Sequence, residues 1–229
     1  MNAMSYSPEE LLGPLNEVEK KNAPRELYAV GDTGILSAGP RVSVVGSRKA
    51  TAGGLSRAAR MARCIVERGG VVVSGLAEGI DTAAHTAAVE AGGCTVAVLG
   101  TPLDKFYPAA NRALQERLMR EHLVLSQFPI GMHPGRKAFP IRNRTMALIS
   151  DATLIVEAGQ SSGTLHQGWE ALRLGRPLFL MESLTKRSDL TWPQEMLGYG
   201  AEVLSDGTLE FFFEMLPERS RDERTGLAL

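Results

Sequence analysis

Residues 71–100 read VVVSGLAEGIDTAAHTAAVEAGGCTVAVLG, a complete strand–helix–strand unit in one stretch. Val71–Gly75 and Thr95–Gly100 are β-branched, unbroken apolar runs closed by glycine, and Ile80–Ala91 between them is an alanine-rich helical pattern. Strands that are apolar without alternation are covered on both faces, and two of them joined through a helix are expected to run parallel. Outward from this unit the same pattern repeats. Strand-like runs recur at Val42–Gly46, Leu123–Phe128, Ala152–Ala158 and Pro177–Met181, with a weaker one at Ala201–Leu204. Helical patterns fill the gaps: Thr51–Arg68, with Leu55, Ala59, Ala62 and Val66 on one face, then Ala109–Arg120, Phe139–Ile149 and Thr164–Leu174. The alternation predicts an α/β fold, a doubly wound and mostly parallel sheet with helices on both faces and right-handed crossovers. Residues 1–40 are expected to form a lead packed on the domain, with a weak helix near Glu9–Lys20. Residues 41–216 form the domain, and 217–229 a polar tail that frays.

The chain has 229 residues, 44% hydrophobic and 22% charged, which suffices for a core without staples. Cys64 and Cys94 sit in apolar patterns with no Cys or His at metal spacing, so buried free thiols in a reducing compartment are expected, and no metal or cofactor. The start, MNAMSYSPEELLG, has Glu9 and Glu10 and no signal-peptide core, and no apolar run approaches the ~18 residues of a membrane span. A cytoplasmic protein without membrane contact is the expectation. The net charge of −1 hides an uneven distribution. From Arg41 to Val66 there is no acid, against Arg41, Arg48, Lys49, Arg57, Arg60 and Arg63; from His122 to Ser150 there is again none, against Arg136, Lys137, Arg142 and Arg144. Local sign decides which surface attracts phosphate.

Four motifs lie where these strands meet helices. Val44-Val45-Gly46-Ser47-Arg48, followed by Lys49, runs into a helix, where unpaired N–H groups and the helix dipole favour an anion. The dinucleotide GxGxxG pattern is absent, so a structural turn is as good a reading as an anion site. In Ser74–His85, Gly75 and Gly79 bracket a second turn, while Asp81 and His85 stand one helical turn apart and are expected to pair, more in bracing the helix than in chemistry. No nucleophile stands at a usable spacing. In Phe139–Arg144, Arg142 and Arg144 flank Asn143 at an expected helix start. Both arginines are expected to grip phosphate and leave stability alone, Asn143 to cap or read a base, and Phe139 to be core rather than a stacking platform. In Glu157–Thr164, Ser161, Ser162, Gly163 and Thr164 offer hydroxyl and backbone donors to a phosphate. Together the loops make one polar, basic rim at the edge where doubly wound sheets bind ligands.

Read together, VVGSRKAT (44–51), SGLAEGIDTAAHTAAVEAGG (74–93), TVAVLGTPLDKFYPAANRAL (95–114), FPIRNR (139–144) and VEAGQSSGTL (156–165), with the lead APRELYAVGD, resemble the DNA-processing protein A (DprA/Smf) family in order and spacing over roughly residues 24–180. The resemblance implies a Rossmann-like domain that binds single-stranded DNA without sequence preference, forms a homodimer and loads a RecA-type recombinase during natural transformation. It implies that Gly46, Ser47, Arg48, Lys49, Gly75, Gly79, Asp81, His85, Arg142, Asn143, Arg144, Ser162, Gly163 and Thr164 line the binding pocket. The family's longer N-terminal helical module and C-terminal winged helix are not expected in these residues, and Leu165-His166-Gln167-Gly168-Trp169-Glu170 replaces its usual sequence after the Ser-Gly-Thr turn.

A non-enzymatic DNA-binding module is therefore the leading expectation. The alternative is a nucleotide sensor or phosphoribohydrolase of the LOG type, with Glu170 or Glu157 as acid–base group; its PGGxGT loop is replaced here by AGQSSGT. A third reading is a partner-binding scaffold using the Trp192–Phe213 region, where Phe211, Phe212 and Phe213 in a row exceed what one buried helix face needs.

Overall fold

The computed structural model describes residues 3–135 and 137–218. Its strands are β1 (Met4–Tyr6), β2 (Leu27–Gly31), β3 (Arg41–Gly46), β4 (Val71–Ser74), β5 (Thr95–Leu99), β6 (Leu123–Ser126), β7 (Ala152–Glu157), β8 (Leu178–Met181) and β9 (Glu202–Leu204). They form one sheet in the order β1-β2-β6-β5-β4-β3-β7-β8-β9. From β6 to β9 all neighbours are parallel; β2 pairs antiparallel with both β1 and β6. The helices are α1 (Pro8–Leu12), α2 (Glu17–Lys20), α3 (Ala52–Glu67), α4 (Ile80–Glu90), α5 (Arg112–Glu121), α6 (Ala138–Ile149), α7 (Leu165–Arg173), α8 (Glu182–Thr185), α9 (Trp192–Gly198) and α10 (Leu209–Glu214).

The apolar runs fill both faces, as their lack of alternation predicts. Val73, Val96, Leu125, Ile155 and Leu180 point to one face and pack with Met146, Ala171 and Met196; Val42, Val44, Val72, Leu154 and Phe179 point to the other and pack with Ala58, Ile65, Ala84 and Phe212. No helix among the described residues is long and apolar enough to cross a membrane.

Several expectations are corrected. The lead contributes two strands to the sheet, with β2 hydrogen-bonded along β6, in addition to packing on it. The helix expected over Glu9–Lys20 is broken into α1 and α2, because Pro14 cannot continue a helix and each piece has its own capping box, Ser7 with Glu10 and Asn16 with Glu19. The buried side of α3 is Gly54, Ala58, Met61, Ala62 and Ile65, while Leu55 is exposed. Close packing of small residues set the phase of that helix, and a count of large apolar side chains missed it. Ala109–Asn111 is a 3-10 turn before α5, and α6 begins at Ala138, one turn ahead of Arg142. Cys64 and Cys94 are half-buried, with no disulfide. The frayed tail falls almost entirely on 219–229, outside the described residues.

Candidate nucleic-acid interface

In the sheet order β4 and β7 lie on either side of β3, so the chain reverses its direction of winding there. The C-terminal ends of the strands at such a switch point open a crevice. Here it is a cleft of about 580 Å3, and its lining joins all four sequence motifs: Gly46 to Lys49, Asp81, Arg142 with Asn143, and Ser161 to Thr164.

Each wall is held by a buried polar contact. The β3–α3 loop is fixed by Glu157, whose carboxylate accepts from the Thr51 N–H at 2.9 Å and its hydroxyl at 2.6 Å, while the Thr51 hydroxyl accepts from Gly54. The Thr164 hydroxyl donates to the Gly46 carbonyl at 3.1 Å, tying the β7–α7 loop to the β3 end. Gly79 has φ +79°, and a side chain there would press on the Ser47 carbonyl, so the second turn can lie against the first only as glycine. Asp81, in the first turn of α4, accepts from the Gly75 and Ala77 N–H groups at 3.2 and 3.3 Å. Burial pushes its carboxyl up, against the pull of the Arg142 charge and of those two donors.

Arg142 lines the cleft but is largely engaged within the protein. It is 5% exposed, its Nη1 donates to the carbonyls of Gly75 and Val98, the latter at 2.8 Å, and its Nε donates to Asn143 Oδ1. Burial lowers its pKa, and the Asp81 carboxylate raises it. Asn143 hands the network on, its Nδ2 donating to the Gly163 carbonyl at 3.0 Å. It caps no helix, since it lies in the second turn of α6. The guanidinium thus braces the floor of the cleft it lines, through Nη1 and Nε, so a buried network stands against the expectation that Arg142 leaves stability alone. Arg144 is exposed and is not among the residues lining the cleft.

His85 also leaves the cleft. It pairs with Thr95 and not with Asp81, Nδ1 lying 2.7 Å from the Thr95 hydroxyl. That hydroxyl donates its one proton to the Val72 carbonyl, so Nδ1 carries the hydrogen and donates. Nε2 is then a buried lone pair with no hydrogen-bond partner among the described residues, and burial drives the imidazole pKa down to about 3.

The exposed cations of the cleft lining are Arg48 and Lys49, both without an ion-pair partner among the described residues, and the hydroxyls of Ser47, Ser161 and Ser162 line it beside them. Other arginines of the acid-free stretch have found acids from elsewhere: Arg41 is buried against Asp151, Arg57 faces Glu157 and Arg60 faces Asp206. Arg136 lies outside the described residues. The Arg48 guanidinium sits 5.0 Å from the centre of the Phe139 ring, and Tyr107, half exposed, lies 5.5 Å from Phe139 at 45°. Phe139, read from sequence as core, is only partly buried and lines the cleft. Sequence reading missed Tyr107 and also Asn111, whose amide donates to the carbonyl of Leu76, a residue held at φ +56°. The asparagine in ANRAL was the available signal for the latter.

The carboxylates proposed for hydrolysis are placed elsewhere. Glu170 is held by Arg173 through two hydrogen bonds, Glu157 by Thr51, and neither lines the cleft. Among the described residues no group of three or more metal-ligating side chains is placed to hold an ion.

A mostly parallel sheet with glycine- and serine-rich loops and exposed cations at its switch point defines a Rossmann-like domain with a polar, basic cleft. By sequence the chain belongs to the family described as DNA recombination-mediator protein A, which matches residues 4–212. It is 42% identical over 194 residues to DNA processing protein DprA of Streptococcus pneumoniae, covering 85% of this chain and 68% of that one. It is 33% identical over 197 residues to the Bacillus subtilis protein of the same name, covering 86% and 66%. The chain thus spans about two thirds of the length of these relatives. Among solved structures it resembles DNA processing protein A of Helicobacter pylori, described for its single-stranded DNA binding mode, with TM-score 0.78, 25% identity, and 94% and 97% of the two chains covered.

Proposed function

We propose that the cleft binds single-stranded DNA, holding phosphates on the Arg48–Lys49 side and stacking a base on Phe139. One observation carries the reading: two exposed cations without an ion-pair partner among the described residues stand at a cleft of about 580 Å3, roomy enough for a nucleotide, beside an aromatic ring. Phosphate contacts supply affinity without sequence information, and a ring accepts any base. A duplex keeps its bases stacked internally and gives the ring nothing, so the single strand is preferred. Homodimer formation and loading of a RecA-type recombinase, in DNA processing or natural transformation, extend this reading through the family and are tested separately by light scattering and by recombinase pull-down on coated DNA.

Arg48→Glu with Lys49→Glu tests the site. Fluorescence anisotropy on labelled oligo-dT should show binding weakened about 100-fold or more, since two charge-assisted hydrogen bonds are lost. The slope of log affinity against log salt should shrink by about 1.4. The melting temperature should change by no more than about 2 °C, because both side chains are exposed and unpaired. Unchanged binding would place the DNA elsewhere.

A further inference from the structure

Next to the cleft, and sharing Phe139 with it, lies a second, tighter cavity of about 60 Å3. Arg48, Phe139 and Arg142 border both spaces, while Glu78, Thr101 and Tyr107 border only the second. Glu78 is out of character with a phosphate-binding rim. Of the residues around the two cavities only Asp81 and Glu78 are carboxylates, and Asp81 is buried and engaged with Gly75 and Ala77. Glu78 is exposed and has no ion-pair or hydrogen-bond partner among the described residues. Its charge repels phosphate and so keeps the DNA backbone on the Arg48–Lys49 side. What approaches Glu78 is then the other end of the nucleotide, the edge of a base stacked on Phe139 or Tyr107.

We propose that this cavity receives the Watson–Crick edge of one stacked base and that Glu78 makes guanine the preferred base there. The inference rests on the cleft being a single-strand site. A carboxylate only accepts hydrogen bonds. Guanine presents N1–H and the N2 amino group side by side, matching two carboxylate oxygens; cytosine offers a single amino group; thymine sets a carbonyl on each side of its one N–H and is repelled. The Thr101 hydroxyl, able to donate or accept, suits the remaining guanine carbonyl. The cavity admits an edge rather than a whole nucleotide, which fits recognition of a base held by stacking outside it. The result is a preference at one nucleotide and not a sequence code.

The test is an anisotropy titration, in lithium salt, of short oligo-dT of about six nucleotides and of the same oligonucleotide with one central dG or dC. The wild-type chain should bind the dG form about five-fold or more tighter than oligo-dT, with dC between, and E78Q should bring all three within about two-fold. The E78Q melting temperature should stay unchanged. Equal affinity of the wild-type chain for all three would overturn the proposal while leaving the single-strand site intact. So would an E78Q variant that tightens all three by the same factor, which would make Glu78 a plain repulsive charge. Failure of every oligonucleotide to bind at low salt would remove the single-strand reading and this proposal with it.

Discussion

Arg142→Ala should lower stability by about 3–5 kcal/mol, because it leaves the buried Asp81 without a nearby positive charge and two carbonyls without a donor. For a chain of this size that is a fall of about 10 °C or more in melting temperature, readable by differential scanning fluorimetry. The carbonyls are those of Gly75 and Val98, at the ends of two adjacent strands, so one guanidinium fixes their spacing. Arg142→Lys keeps the charge but loses the fork that also reaches Asn143, and should fall between the two. Gly75→Ala attacks the same point from the other side, since a Cβ there would overlap the Arg142 guanidinium, and it should behave like Arg142→Ala. Arg144→Glu, at an exposed and unpaired position, should leave the melting temperature within about 2 °C of wild type. A normal melting temperature for Arg142→Ala would show that the network contributes little, and would reopen Arg142 as a ligand-binding group.

The second large effect is one of pH. His85 has a folded pKa of about 3, against an ordinary value of 6.5, because its protonated form would be a buried charge with Arg142 and His122 adding repulsion. Below 6.5 the unfolded chain takes up a proton that the folded chain refuses, so this residue costs stability as pH falls from about 6.5 toward 3. The contribution is fully absent above that window. Between pH 7 and 5 the loss amounts to about 2 kcal/mol, or about 4–8 °C in melting temperature. His85→Leu removes the titrating group and leaves the Thr95 hydroxyl donating to Val72, so its melting temperature should fall less than that of wild type over the same range. Parallel falls in the two proteins would mean that His85 is protonated in the folded state at little cost.

The sheet was readable where burial on both faces makes strands uniformly apolar, as in β3, β4, β5 and β7. β1 and β2 escaped because an antiparallel pair at the sheet's edge obeys another rule: Leu27 and Ala29 are buried, and Tyr28 and Val30 between them are only partly so, a weak alternation in a polar lead. The loops of the cleft were readable because glycine and serine at strand ends have few other uses. The roles of Arg142 and Asn143 were not, since their partners Gly75, Val98 and Gly163 lie 67, 44 and 20 residues away along the chain. Arg41 teaches the same lesson: an acid-free stretch of sequence says nothing of Asp151, 110 residues on, which the fold brings to it. The three adjacent phenylalanines resolve into separate environments. Phe212 is fully buried with its ring 4.8 Å from Phe179, Phe213 lies under the Arg68 guanidinium, and only Phe211 is substantially exposed.

Whether the switch-point cleft holds a single strand through its phosphates is decided by titrating the wild-type chain with labelled oligo-dT and with a duplex of equal length at low and high salt. Tighter binding of the single strand is expected, with an affinity that falls linearly on logarithmic axes as salt rises. No binding at low salt, or an affinity indifferent to salt, would contradict it.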